Sequence, residues 1–131
     1  MKEFVPIEPI PCPRPRVAVI RGHGVAYYPA AYKKWVEQFV QWFDGLDYTQ
    51  FEGPVRVVLQ IDCRKPRTSK LRMPAPDVDN YAKAVLDGLT KVGVWADDKQ
   101  VKHLTVSKRW APDDEFVGIN IHIEPVPEEE T

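Results

Sequence analysis

Thirteen prolines are spread unevenly over the 131 residues, and their positions decide where regular structure can form. Each proline removes a backbone donor and fixes φ, which excludes it from helix interiors and central strands. Five fall within the first sixteen residues, at positions 6, 9, 11, 13 and 15, so residues 1–16 are expected to form an extended arm. Pro125 and Pro127, set beside a run of Glu, mark an unstructured acidic tail over residues 125–131. The stretch between them shows no repeat and no linker, so residues 1–131 are expected to be one domain.

Hydrophobic periodicity divides that stretch into six pieces. Val17 to Arg21 is a short β-rich run closed by Gly22 and Gly24. Pro29 suits the first turn of a helix, where its missing N–H would be unpaired anyway. Tyr32, Trp35, Val36, Phe39, Val40, Trp42 and Phe43 then recur at helical spacing over a broad arc, and Gly45 ends the helix. Val55 to Asp62 alternates and is β-branched, as a strand should be. A second helix runs from about Asp79 to Lys91, with Val78, Ala82, Val85, Leu86 and Leu89 on one face and Gly93 as its stop. Two strands follow, about Gln100 to Trp110 and Phe116 to Glu124. The order β-α-β-α-β-β predicts an α+β fold with a mixed sheet and two main helices packed on it.

Charge is nearly balanced at −1, but the last eight residues hold four Glu and no base. The other 123 carry eighteen bases against fifteen acids. No apolar run approaches the ~20 residues needed to cross a bilayer, so no membrane partner is expected. Met1-Lys2-Glu3-Phe4 lacks the apolar core of a signal peptide, and a cytoplasmic protein is expected. Cys12 and Cys63 are too few for a disulfide scaffold and lack zinc spacing.

The densest group of chemically capable residues is Asp77-Val78-Asp79-Asn80 with Lys83. In an extended segment residues two apart point the same way, whereas in a helix they diverge. Asp77 and Asp79 can therefore converge only just ahead of a helix, where the helix end favours ionised carboxylates. Paired hard oxygens suit Mg²⁺. Helix capping, with Asp79 and Lys83 as an ordinary i,i+4 pair, is the alternative. A second acidic spot, Asp97-Asp98, lies between the second helix and the next strand, and Asp98 would complete a three-acid ligand set if the chain returned it to Asp77 and Asp79. Lys108 interrupts the apolar row Leu104, Val106, Trp110, either snorkelling to the sheet edge or meeting substrate. Arg14, Arg16 and Arg21 surround the first strand, and Arg64, Lys65, Arg67, Lys70 and Arg72 crowd one loop, as phosphate contact requires.

Taken in order, these segments resemble the RusA family of Holliday-junction resolvases, small endonucleases of bacteria and their phages. The likeness begins at Pro13-Arg14-Pro15-Arg16 and passes through Tyr27-Tyr28-Pro29 and the Trp35 helix. It is sharpest across Asp77-Val78-Asp79-Asn80, Lys83, Leu86-Asp87-Gly88-Leu89, Gly93-Val94-Trp95, Asp97-Asp98, Gln100-Val101 and Lys108. The proline-rich arm departs from the family pattern. The resemblance implies catalytic, metal-binding acids at Asp77, Asp79 and Asp98 and an essential lysine at Lys83. Lys108 matches a further lysine of the family pattern, and charge placement offers Arg14, Arg16, the five bases of the 64–72 loop and Lys108 as DNA contacts. A Mg²⁺-dependent homodimer that nicks two opposed strands of a four-way DNA junction, in recombination and repair, is the implied activity. A branched-DNA-binding protein that cleaves nothing is the alternative.

Overall fold

Val55, Val57, Leu59, Ile61 and Cys63 are buried at every second position, which makes their strand the centre of the structure. A computed structural model describes residues 1–130. The strands are β1 (Lys2–Val5), β2 (Arg16–Ile20), β3 (His23–Tyr27), β4 (Val55–Cys63), β5 (Val101–Trp110) and β6 (Gly118–Pro125). The helices are α1 (Ala30–Trp42) and α2 (Val78–Val92). A four-stranded mixed sheet has the order β1-β6-β4-β5, and β2 and β3 form a separate hairpin. β4 and β5 are parallel, while β6 runs antiparallel to β4 and to β1. The expected α+β fold with a mixed sheet and two main helices is therefore present.

Both helices cover the face made by the odd-numbered residues of β4 and by Ile119, Ile121 and Ile123 of β6. Along α1 the rings of Tyr28, Tyr32, Trp35, Phe39 and Phe43 follow one another at centroid separations of 5.1 to 6.4 Å. α2 buries Ala82, Val85 and Leu89, as its periodicity predicts, and adds Ala84, Gly88 against Phe39 of α1, and Tyr81, whose hydroxyl lies 3.5 Å from Cys63 Sγ of β4. Gly93 ends it at φ 90°, a left-handed turn suited to glycine.

Three expectations need correction. The arm is not wholly without structure, because Lys2–Val5 pairs with β6 as an edge strand, a place where nearby prolines do no harm. Its proline-rich part is tied to the helices, with Cys12 N–H donating to the Asn80 carbonyl at 2.9 Å and Trp35 Nε1 to the Glu8 carbonyl at 2.9 Å. Gly24, expected to close the Val17–Arg21 run, lies instead inside a second strand, His23–Tyr27. The tail is anchored too: Pro125 belongs to β6, Val126 is buried and its N–H donates to the Pro54 carbonyl, and Glu128–Glu130 is a short 3₁₀ turn. The last residue of the expected tail, Thr131, lies outside the described residues.

Candidate active site

β4, α2 and β5 form a crossover unit, so the basic loop, the start of α2 and the end of β5 meet at one end of the sheet. Lys108 joins them. On the apolar face of β5, its ammonium donates to the Pro76 carbonyl at 2.8 Å, fixing the segment that leads into α2. Trp110 acts similarly on the loop, its Nε1 donating to the Leu71 carbonyl at 2.9 Å. Lys108 thus neither hangs free at the edge nor points wholly to solvent.

Asp77 is the N-cap residue of α2 by position, yet its side chain makes no capping hydrogen bond. Asp79 follows in the first turn, its Oδ1 accepting only from the Asn80 N–H at 3.0 Å. Both carboxylates are exposed. Simple capping therefore does not account for Asp77. Lys83 pairs with Asp87 rather than Asp79, with Nζ 3.8 Å from Oδ1. The other carboxylate oxygen of Asp87 accepts from the Tyr32 hydroxyl at 3.0 Å. Burial first, then hydrogen bonds to Cys12 and Asp87, push the Tyr32 phenol well above its ordinary range, which keeps it a donor.

The turn that carries the second acidic pair is built by Gln100. Its side-chain oxygen accepts from the Ala96 N–H, and its Nε2 donates to the carbonyls of Phe51 and Gly53 at 2.9 and 3.0 Å. Asp97 caps this turn, accepting from the Lys99 N–H at 2.9 Å. Asp98 makes no side-chain hydrogen bond or ion pair among the described residues and is exposed. The two aspartates thus differ in employment: one holds the turn and the other is available.

A groove of about 400 Å³ between α2 and β5 is lined by Asp79, Lys83 and Asp98 and floored by Val78, Ala82, Leu86, Leu104 and Val106. Lys83 and Asp98 also line an adjoining, more polar cavity of about 510 Å³ with Tyr28, Tyr32, Lys33 and Asp87. Asp77 does not line the groove. Among the described residues no three His, Cys, Asp or Glu side chains converge as a metal cluster. The reason is topological: Asp77 and Asp79 begin α2, whereas Asp98 follows its end, and fifteen helical residues span about 22 Å. Mg²⁺ usually takes one or two protein carboxylates and completes its shell with phosphate oxygens and water, so the exposed carboxylates at either end of the groove have the right donor chemistry without forming one ligand set.

The basic residues fall into three situations. Lys65, Arg67, Lys70 and Arg72 are exposed on the loop after β4, whereas Arg64 is paired with Asp114 at 2.6 Å. Arg14 and Arg16 are exposed at the entry to the β2–β3 hairpin. Sequence reasoning missed Asp87 and Tyr32 as the partners of Lys83. It also missed Asp62 on the opposite face of the sheet, 1% exposed, where its carboxylate accepts from Arg109 Nε at 2.7 Å and Asn120 Nδ2 at 3.2 Å. The available signal for Asp62 was a carboxylate between Ile61 and Cys63 near the end of β4, on the alternation that also carries Arg56 and Gln60.

No helix among the described residues is long and apolar enough to cross a membrane. No curated protein matches the chain. The family described as Endodeoxyribonuclease RusA matches residues 6–124, all but a few residues at either end. With a match of that extent, the chain belongs to the RusA endodeoxyribonuclease family.

Proposed function

We propose that the chain acts as one nuclease domain, a Mg²⁺-dependent homodimer that resolves four-way DNA junctions by paired nicks, in the recombination and repair of bacterial or phage DNA in the cytoplasm. Family membership supports the nuclease activity. The observation that carries the metal-dependent chemistry is the groove lined by Asp79, Asp98 and Lys83, with both carboxylates exposed.

In this reading Asp77, Asp79 and Asp98 are the metal-binding acids, the first two at the start of α2 and the third beyond its end, so the set would close only with DNA or the second subunit in place. Mg²⁺ supplies an activated water and relief of charge on the phosphate. Lys83 places a fixed positive charge beside the phosphate, where charge builds in the transition state. Asp87 and the protonated Tyr32 keep the Lys83 ammonium from wandering into solvent. Lys65, Arg67, Lys70 and Arg72, with Arg14 and Arg16, hold the DNA arms by their phosphates. Lys108 acts through the Pro76 carbonyl, positioning Asp77 and Asp79. A twofold junction offers two equivalent cuts, which a twofold dimer with two sites matches.

Labelled four-way junction and linear duplex, each incubated with Mg²⁺ and with EDTA, test the proposal. Paired nicks in the junction alone, and only with Mg²⁺, are expected. Equal cutting of linear duplex, or cutting that survives EDTA, would overturn it.

A further inference from the structure

The β2–β3 hairpin stands apart from everything else in the molecule. β3 is exposed along its whole length, and of β2 only Ala18 is even half-covered. Val17 is 72% and Val19 77% exposed, and with Gly24 and Ala26 they form one side that carries no polar side chain. An isolated two-stranded hairpin is marginal in water, and apolar residues left this bare call for a partner.

The charge around it says which. From Pro9 to Val36 there is no acidic residue, while Arg14, Arg16, Arg21, Lys33 and Lys34 fall in the same window. A second copy of the hairpin would meet this surface with like charge, whereas a polyanion would meet it with opposite charge. The tip adds a separate indication. Ile20 pairs with His23, so Arg21 and Gly22 are the two central residues of the turn, at φ 51° and 78°. Such turns favour Asn or Gly at the first of these positions. Arg21 is the only non-glycine residue at positive φ among the described residues, so the turn carries a guanidinium where backbone geometry would prefer none.

We infer that this hairpin is a DNA-inserting finger. Arg21 leads into the DNA at the branch, and behind it Val19 on one side of the finger and Ile20 on the other lie against base faces unstacked there, as apolar wedges do in proteins that kink DNA. The assignment rests on the junction-nuclease reading and adds to it an element that opens the branch rather than cuts it.

The experiment places 2-aminopurine, whose fluorescence rises on unstacking, next to the branch of a four-way junction, with EDTA present to prevent cutting. The parent protein is expected to brighten it several-fold. Val19→Ser with Ile20→Ser should abolish the rise. Arg21→Gly relieves the backbone, so it should melt no lower than the parent while weakening junction binding and flattening the slope of log K against log[salt] by about 0.9, the share of one phosphate contact. Junction binding and cutting without brightening, or an Arg21→Gly protein with the parent's slope, would overturn this inference alone. So would serine variants that convert a sedimenting dimer to monomer, because the face would then be a subunit contact. A parent protein that fails to bind junction DNA would overturn the nuclease reading and the finger with it.

Discussion

Gly88→Ala tests the contact that sets the distance between the two helices. A methyl group at Gly88 would lie 2.5, 2.8 and 3.2 Å from Cδ1, Cε1 and Cγ of Phe39. Carbon atoms in contact prefer about 3.5–4.0 Å, so ring and helix must part by about 1 Å. Phe39 has nowhere to go, being fully buried with the rings of Trp35 and Phe43 at 5.4 and 5.2 Å. Overpacking of this kind costs about 1–3 kcal/mol. Alanine returns about 1 kcal/mol of helix propensity over glycine, so the net loss is roughly 0–2 kcal/mol, with about 1 at the centre of that range. The melting temperature should fall by roughly 5 °C and the urea midpoint should drop with m unchanged. Phe39→Leu in the same chain should restore part of the loss, with a coupling energy of about 1 kcal/mol or more in a double-mutant cycle. Gly53→Ala is the control, since a methyl group there meets nothing within 4 Å. A Gly88→Ala protein as stable as the parent, with Phe39 in place, would show that the helices separate freely and that the packing argument is wrong.

Asp79→Asn and Asp98→Asn should each abolish Mg²⁺-dependent junction cutting while preserving junction binding, and a normally cutting Asp98→Asn would remove that residue from the site. Asp97→Ala should instead lower stability by about 1 kcal/mol through its lost cap and leave cutting largely intact, as melting and cleavage assays on one preparation would show. Replacing Lys65 and Lys70 with Gln should flatten the salt dependence of junction affinity by about two, and an unchanged slope would make that loop mere solvated surface. Arg109→Ala leaves the buried Asp62 carboxylate with Asn120 alone and should cost about 1–3 kcal/mol in urea denaturation, toward the lower end because water reaches the half-exposed Arg109 position. No loss would mean that Asp62 is satisfied without its guanidinium.

The elements that sequence revealed are those whose evidence is local. β4 declares itself by alternation and branching, and α2 by one apolar face and Gly93. What it hid depends on partners far along the chain. β1 is four residues beside two prolines, and its only sheet partner begins at Gly118. β3 contains a glycine and follows a turn whose first central residue is an arginine, so neither residue signals a hairpin. Lys83 has an aspartate four residues before it and another four after, and spacing alone cannot choose between them. Likewise the paired Asp97 and Asp98 look alike in sequence, and only the Gln100 turn separates the capping one from the available one. Asp62 reads as the polar end of a strand until Arg109, 47 positions later, arrives beside it.

The pairing of β1 with β6 also governs the order in which the protein can assemble. The β4-α2-β5 crossover needs residues that follow one another, so it can form early, but β1 must wait until about residue 119 has been synthesised. From the formation of β6 until β1 joins it, β6 presents its outer edge, and β1 is a short ribbon on a stiff, proline-studded tether. At high concentration one chain's β1 meets another chain's β6 on equal terms with its own, since each strand is unchanged by whose partner it takes. Strand exchange between molecules is therefore the misassembly to which this architecture is most open, and slow refolding at low concentration is the condition that suppresses it.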